Sequence, residues 1–334
     1  MSRHDIIAIG GSTGSIQALK KLLSQLPRDL PAAIFVVVHV GASGKNLLAS
    51  ILDSGAELAV QTAADGEPIQ QGHVYVAPAD HHLLVIEDAV ALGRGPRENL
   101  TRPAIDPLFR SVAMSYGPRA IAVVLTGGLD DGAAGMADVK RCGGITVVQN
   151  PADAEMAEMP LNALRATDVD YREPLAGLAH LLQRLVAEPA GPAQEVPFDL
   201  RLEVEIARGR PSTDAQIMQI AQPTTLSCPA CGGVLSQLKQ GPLRFRCQVG
   251  HSYSAETLSS RKEDSVDEAM RVALRIVDER AVLAEKMAQD AIRGGLTALA
   301  ERYNKRAADL RQHLATLADL LPEPTLQAQR SRAR

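Results

Sequence analysis

The sequence places a serine, a histidine and an aspartate, which together could carry out nucleophilic catalysis, directly after apolar runs. Ser12 lies in the glycine-rich stretch IIAIGGSTGS, His39 closes the run AIFVVVH, and Asp130 and Asp131 follow the run AIAVVLTG in the stretch GLDDGAAGM. A serine hydroxyl becomes a good nucleophile when a histidine takes its proton, and a carboxylate can fix the tautomer of that histidine. These residue types therefore predict a nucleophile, a base and an orienting acid.

The elements that would bring these residues together are strands of a mostly parallel sheet. Runs such as FVVV and IAVVL are apolar at every position, as expected for strands that are buried on both faces. They alternate with helical patterns through about residue 187, which predicts an α/β fold with a doubly wound, Rossmann-like sheet. Because the carboxyl ends of neighbouring parallel strands border one crevice, we expect Ser12, His39 and an aspartate of the pair Asp130-Asp131 to converge there.

The boundaries of these elements follow from the apolar runs and the helical periodicity. We predict strands at residues 5–10, 33–39, 58–63, 73–78, 82–88, 120–127 and 144–150. The segment 82–93 could instead form an antiparallel flap. We predict helices at residues 15–26, 45–52, 106–116, 133–142 and 174–187.

Each of these polar residues also has a purely structural interpretation. Ser12 could cap a helix, His39 could be a hydrogen-bonded core histidine, and Asp130 and Asp131 could cap the next helix. The glycines of the first loop also suggest a dinucleotide site and hence an oxidoreductase. However, Gly10, Gly11 and Gly14 give G-G-x-x-G and not G-x-G-x-x-G, and the second strand ends in a histidine where a ribose-binding acid is expected. Convergence of the polar residues favours the catalytic hypothesis.

Composition excludes several classes of protein. Of the 334 residues 46% are hydrophobic, only 3% are aromatic and none is Trp, which argues against a platform for stacking single-stranded nucleic acid. The net charge of -4 gives no reason to expect nucleic-acid binding through a basic face. No stretch fits a signal peptide or a membrane span, so we expect a cytoplasmic protein that does not insert into membranes.

A second group of residues has the spacing of a zinc site. Cys228-x2-Cys231 is followed, after a segment that suggests a hairpin, by Cys247-x3-His251. Zinc takes four nitrogen or sulfur ligands in tetrahedral geometry, so the spacing favours a structural zinc ribbon over thiols without metal. Cys142 is expected to be a small buried apolar residue.

Composition also divides the chain into segments. We predict a main domain at residues 1–187, a linker rich in Pro, Ala and Gly at 188–224, and the ribbon at 225–253. Helical spacing of apolar residues predicts a helical hairpin at 254–322, interrupted near Gly294 and Gly295, and a disordered tail at 323–334.

Six ordered blocks of the first segment resemble the catalytic domain of the chemotaxis protein-glutamate methylesterases. The blocks are IIAIGGSTGS, VVVHV, VYVAPADHH, RPAIDPLFRSVA, AVVLTGGLDDGAAGM and QNPADAEMAEMP. The resemblance implies hydrolysis of γ-glutamyl methyl esters on methylated chemoreceptors with release of methanol, and in some relatives deamidation of receptor glutamines. It implies that Ser12, His39 and Asp131 form the triad and that catalysis needs no cofactor.

The oxyanion donors and the regulation of such an enzyme are also matters of expectation. A glycine loop at a helix N-terminus presents unpaired N–H groups, so we expect donors at Thr13, Gly127 and Gly128. Relatives usually carry an N-terminal phosphoacceptor receiver domain that this sequence lacks, which implies constitutive activity, a separate receiver or other chemosensory protein, or control by the C-terminal module.

The sequence departs from the family pattern at a few positions near the predicted site. Ser15 stands where relatives usually have glycine, Gly128-Leu129 replaces Met-Gly, and Thr101 replaces a common histidine. These changes leave the shape of the substrate pocket open. An esterase with another protein substrate, and a non-catalytic scaffold that works through the ribbon and helices, therefore stay as alternatives.

Overall fold

The computed structural model describes residues 2–39 and 46–319. The chain divides into two units, residues 1–258 and residues 259–334. The first unit therefore includes the main domain and the predicted ribbon. The second holds most of the predicted helical hairpin.

A seven-stranded parallel sheet forms the centre of the first unit. Its strands are β1 (Ile6–Gly11), β2 (Ala33–Val38), β3 (Ala59–Thr62), β4 (His73–Val76), β7 (Ala120–Val124), β8 (Ile145–Gln149) and β9 (Tyr171–Glu173), and β5 and β6 lie outside it. The strand order is β3-β4-β2-β1-β7-β8-β9, and every pair is parallel. The α/β, doubly wound fold predicted from the sequence is confirmed.

Helices cover both faces of this sheet. They are α1 (Ser15–Leu23), α2 (Leu48–Asp53), α3 (Ile105–Tyr116), α4 (Ala133–Arg141), α5 (Glu158–Ala166) and α6 (Leu175–Ala187). Side chains of a strand alternate between the two faces, so Ile7 and Ile9 pack in one apolar core and Ile6 and Ala8 in the other. This two-sided burial explains why the central strands β1, β2 and β7 are apolar at every position.

The segment at residues 82–93 forms the antiparallel flap that was one of the two expectations for it. It consists of β5 (His82–Ile86) and β6 (Ala89–Gly93), which pair with each other and not with the central sheet. The sequence analysis did not predict α5 and β9: α5 contains Pro160 in its first turn, and β9 is only three residues long, two of them charged. The start predicted for α2 at residue 45 lies outside the described residues.

The segment predicted as a linker contains two helices, α7 (Phe198–Arg208) and α8 (Asp214–Ile220). Its charged residues suggested exposure, but several of them form ion pairs against the main domain and the ribbon. Asp199 pairs with Arg141 at 2.8 Å, and buried Glu203 accepts hydrogen bonds from Arg244 at 2.8 and 2.9 Å. Charge in this segment therefore marks packing and not a solvated spacer.

The predicted ribbon is a four-stranded antiparallel sheet that begins slightly earlier than expected. Its strands are β10 (Ala221–Ser227), β11 (Val234–Leu238), β12 (Arg244–Cys247) and β13 (Ser252–Ser254), in that order across the sheet. Its small core contains two of the cysteines, Cys228 and Cys247, with Leu235, Phe245 and Tyr253. So few apolar side chains offer little burial energy, which fits a fold that needs a further stabilising element.

Two helices follow the ribbon, as predicted. Helix α9 spans Ala255–Arg293 and α10 spans Thr297–Ala318, joined through Gly295 at a φ of 72°. Within the second unit Arg311 of α10 contacts Asp278 and Glu285 of α9, so the helices run beside each other as a hairpin. The predicted tail at 323–334 lies outside the described residues, and over the described ranges no helix is both long and apolar enough to span a bilayer.

Candidate active site

The loop that carries Ser12 is shaped by two glycines. Gly14 has a φ of 79°, a left-handed conformation that glycine adopts without steric cost, and it directly precedes α1. A Cβ at Gly127 would lie 2.9 Å from the Ser12 Cβ, so only glycine allows these two loops to approach so closely. Ser15, where relatives usually have glycine, donates from its hydroxyl to the Ser12 carbonyl at 2.5 Å and holds the turn.

His39 and Asp131 are joined directly, although 92 positions separate them in the sequence. His39 Nε2 lies 2.7 Å from Asp131 Oδ2. An ionised carboxylate only accepts hydrogen bonds, so Nε2 carries the hydrogen and donates it. Nδ1 is then the ring nitrogen that is left to act as a base.

The carboxylate of Asp131 is held by further donors. Its Oδ2 accepts from the backbone N–H of Ile105 at 2.6 Å, and its Oδ1 accepts from the Asn99 side chain at 2.9 Å. Burial alone would raise the pKa of Asp131, but His39 and these donors hold it below the usual range. Asp131 is therefore an ionised, fixed partner for the imidazole at neutral pH.

Ser12, His39 and Asp131 line one cavity of about 170 Å³. Its other lining residues are Thr13, Asn99, Thr101, Gly128, Leu129 and Thr257. Among the described residues the Ser12 side chain has no hydrogen-bond partner, so the hydroxyl is free to turn toward a ligand or toward the histidine. The serine–histidine contact of a triad is often looser before a substrate binds.

The two neighbouring aspartates, Asp130 and Asp131, point in different directions. Asp130 accepts hydrogen bonds from the hydroxyls of Ser254 at 2.6 Å and Thr257 at 3.1 Å. Its pKa is raised, mainly by burial, although these two hydroxyl donors lower it. Only Asp131 contacts His39, so the geometry separates the two carboxylates that the sequence left together.

A third aspartate, Asp106, lies beside Asp131 at the start of α3. Its Oδ1 accepts from the backbone N–H groups of Gly132 at 3.0 Å and Gly135 at 2.7 Å. Burial and, next, the charge of Asp131 raise the pKa of Asp106 to about 8. The site thus holds a carboxyl that favours its neutral form next to one that favours its charged form.

The expected oxyanion donors differ in whether their N–H groups are free. Gly127 N–H donates to the Met156 carbonyl oxygen at 3.0 Å, so this amide is already used and the expectation for it is corrected. Thr13 and Gly128 line the cavity, and their N–H groups form no hydrogen bond within the described part of the chain. They are the donors that could bind a developing oxyanion.

The sequence analysis missed two residues that complete the site, Asn99 and Thr257. Asn99 is buried, has a φ of 47°, and bonds both Asp131 and Asp106. Thr257, in the first turn of α9, forms part of the cavity wall. Nothing in their sequence neighbourhoods marked them, because each reaches the site through tertiary packing of a segment that reads as polar surface.

The four predicted metal ligands come together in the ribbon. Their donor atoms all lie within 4.8 Å of one another. Cys231 Sγ is 3.7 Å from Cys247 Sγ, and His251 Nδ1 is 3.5 Å from Cys247 Sγ and 3.8 Å from Cys228 Sγ. Tetrahedral zinc with bonds of about 2.3 Å needs sulfur atoms roughly 3.8 Å apart, so the residues fit this metal.

Comparison with known proteins agrees with the fold of the main domain. The sequence profile of the family described as CheB methylesterase matches residues 7–182. A relative in Leptospira interrogans is 40% identical over 183 residues, which cover 54% of this chain and 95% of that protein. A relative in Methanosarcina mazei, named protein-glutamate methylesterase/protein-glutamine glutaminase 2, is 36% identical over 193 residues, which cover 55% of this chain and 53% of that protein.

A solved structure shows the same similarity. The crystal structure of the Thermotoga maritima CheB methylesterase catalytic domain is 35% identical in sequence, with a TM-score of 0.53. The match covers 56% of this chain and all of that domain. These matches leave the ribbon and the helical hairpin without a counterpart in the aligned regions.

Proposed function

Because the chain belongs to the CheB methylesterase family, we propose that Ser12, His39 and Asp131 form the catalytic triad of a carboxylic ester hydrolase. The observation that carries the proposal is the hydrogen bond between His39 and Asp131, in the same cavity as Ser12. All three residues lie inside the region that the family profile matches. No metal or organic cofactor takes part in this chemistry.

The mechanism follows from the positions of these groups. Ser12 Oγ attacks the ester carbonyl carbon while His39 Nδ1 takes the hydroxyl proton, and Asp131 stabilises the imidazolium that forms. The tetrahedral intermediate collapses, the C–O bond to the methoxy group breaks, and the imidazolium gives its proton to the departing methoxy oxygen, which leaves as methanol. Water then attacks the acyl-serine with His39 again as base, which releases the carboxylate and restores the serine.

The negative charge of both tetrahedral intermediates needs donors that are already in place. Thr13 and Gly128 line the cavity that holds Ser12, and their N–H groups are not used by other hydrogen bonds of the described residues. Losing one such donor typically costs about 10²–10³ in kcat. Together with the bond to Asp131 this arrangement supports an acyl-transfer site and not a site that only binds a ligand.

The proposed substrates are γ-glutamyl methyl esters of methylated chemoreceptors, acted on in the cytoplasm. The names of the Methanosarcina mazei and Hydrogenovibrio crunogenus relatives give both glutamate methylesterase and glutamine glutaminase activity. Deamidation uses the same acyl-serine, with ammonia as leaving group in place of methanol, so the same triad could carry out both reactions.

We also propose that Cys228, Cys231, Cys247 and His251 hold a structural zinc ion. The donor distances and the small apolar core of the ribbon support a metal that contributes folding energy. The zinc content of the purified protein tests this. About one zinc per chain is expected, falling to near zero in Cys228→Ser, and a parent protein that contains no zinc after metal-replete expression would contradict it.

The activity is tested by methanol release from methylated chemoreceptors in membranes. Ser12→Ala is expected to lower the rate by about 10³-fold or more, because the covalent route is lost. Ser24→Ala is the matched control, since that serine is exposed and bonds only the backbone of its own helix. Methanol release that is the same in Ser12→Ala and the control would overturn the proposed function.

A further inference from the structure

The loop around Asn99 lies between the main domain and the last strand of the ribbon. The Asn99 backbone N–H donates to the Ser252 carbonyl at 2.8 Å, and Glu98 forms a parallel bridge with Ser252. The Asn99 side-chain oxygen accepts from the Ser254 backbone N–H at 2.9 Å. Strand β13 therefore holds both the backbone and the side chain of this asparagine.

The other end of the Asn99 amide faces the acids of the candidate active site. Its Nδ2 donates to Asp131 Oδ1 at 2.9 Å and to Asp106 Oδ2 at 3.1 Å. The orientation of the amide is fixed, because the oxygen faces an N–H donor and the nitrogen faces two carboxyl groups. A continuous series of hydrogen bonds thus runs from Ser254 through Asn99 and Asp131 to His39.

A buried group of charges holds the same loop from the other side. Glu98, which directly precedes Asn99, accepts from Arg246 of the ribbon at 3.1 Å and also pairs with Arg110 of α3. Arg246 in turn contacts Glu203 of α7 at 2.7 Å, and all these side chains are almost fully buried. The ribbon therefore fixes the loop through an ion pair as well as through strand pairing.

We infer that Asn99 is a positioning residue for the triad carboxylate and that ribbon strand β13 holds Asn99 in place. The ribbon then helps to orient the triad of the hydrolytic site. This inference rests on the proposed function of Ser12, His39 and Asp131. Hydrogen bonds that fix an orienting carboxylate act on the rate of the chemical step, since a small misplacement of the imidazole weakens proton transfer. Binding of the ester itself needs no contact with Asn99, whose polar atoms are already paired.

The first test removes the amide without straining the loop. Asn99→Gly keeps the positive φ of this position at no cost, and Asn99→Asp keeps the shape of the side chain but removes the donor atoms. In both variants we expect kcat for methanol release to fall roughly 10²-fold with KM within about twofold. The downfield proton resonance of the His39–Asp131 hydrogen bond is expected to shift or disappear, a change that lost stability alone would not cause in a folded protein.

The second test separates the contribution of the ribbon. Ser254→Pro and Ser254→Ala both remove the hydroxyl that bonds Asp130 and Thr257, but only Ser254→Pro also removes the N–H that bonds Asn99. Pairing with β12 does not use this N–H, so proline leaves the antiparallel ladder intact. We expect kcat to be about tenfold lower in Ser254→Pro than in Ser254→Ala, with the same change in the His39 resonance.

The outcomes distinguish this inference from the proposed function. If Ser12→Ala is inactive while both Asn99 variants keep the parent kcat and the parent resonance, the positioning role is wrong and the hydrolase stands. If the Asn99 variants lose activity but the two Ser254 variants have equal kcat, the ribbon does not hold Asn99 and that half of the inference is overturned. If Ser12→Ala keeps full activity, the proposed function itself is wrong.

Discussion

The central parallel sheet and the ribbon obtain their stability in different ways. Both faces of the sheet are covered by apolar side chains that are completely buried, such as Ile7 and Val123 on one face and Ala8 and Val124 on the other. The ribbon has a small core that includes two thiols, and it meets the main domain through buried arginine–glutamate pairs. Apolar burial tolerates small changes in shape, whereas a buried charge depends on each of its partners. The fold of the central sheet can therefore be predicted from apolar runs in the sequence, whereas the packing of the ribbon becomes clear only from specific contacts in the structure.

The largest expected effect comes from the triad carboxylate at the edge of the sheet. Asp131→Asn is expected to lower kcat by about 10⁴-fold, because the imidazole loses the partner that fixes its tautomer and stabilises its charge. Rates of methanol release under saturating substrate measure this. Asp130→Asn is the matched control, and it should retain at least about a tenth of the parent rate because its oxygen can still accept from Ser254 and Thr257. Equal losses in the two variants would mean that His39 does not rely on Asp131.

The next largest effect is expected where the ribbon meets the main domain. Arg246→Met leaves Glu98 and Glu203 buried with fewer partners and should lower the free energy of unfolding by about 3–5 kcal/mol. Urea denaturation measures the change. Arg201→Met, at an exposed position of α7, should stay within about 0.5 kcal/mol of the parent. A loss below about 1 kcal/mol at Arg246 would show that apolar contacts suffice to hold the ribbon, as they do for the sheet.

A smaller effect concerns pH. The folded-state pKa of Asp106 is about 8, far above its ordinary value of 3.8, so the folded protein keeps a proton that the unfolded chain releases. Stability from this group is fully present below about pH 4 and is lost as the pH rises through about 8. Between pH 7 and 8 we expect the free energy of unfolding to fall by up to about 1 kcal/mol. In Asp106→Asn the free energy of unfolding should change little between pH 7 and 8. If it falls as steeply as in the parent, another group causes the pH dependence.

The smallest effect is expected inside the sheet. Ile9→Val removes one buried methylene and should cost about 0.5–1.5 kcal/mol. No titratable group is involved, so the loss should be the same at pH 5 and pH 8 when measured by urea denaturation. A loss that changed with pH would show that the stability of the apolar core depends on the buried charges. The two regions would then not be stabilised in separate ways.

The sequence predicted the centre of the parallel sheet well because β1, β2 and β7 are apolar at every position and lead into glycine or polar residues. The same logic placed Ser12, His39 and Asp131 at neighbouring strand ends, and the structure brings His39 and Asp131 into contact. Spacing alone predicted the group of Cys228, Cys231, Cys247 and His251.

The contacts between the ribbon and the main domain could not be predicted, because the sequence does not show whether a charged residue is exposed or is buried with a charged partner. Glu98, Arg110, Glu203 and Arg246 all read as surface residues, yet their side chains are almost fully buried against one another. The segment that holds Glu203 was therefore taken for a linker. Asn99 lacked any signal of its own, since the partners that hold it, Ser252 and Ser254, come from a strand more than a hundred residues later in the chain.

The pairing of His39 through Nε2 has a consequence for covalent labelling of the protein. With that nitrogen hydrogen-bonded to Asp131, only Nδ1 keeps a lone pair for an incoming electrophile. A substrate-shaped haloketone would therefore be found attached to Nδ1 when the modified peptide is mapped by mass spectrometry and NMR. The nitrogen of His39 that carries the label thus shows which ring nitrogen bonds Asp131 and which one is left to take the proton from Ser12.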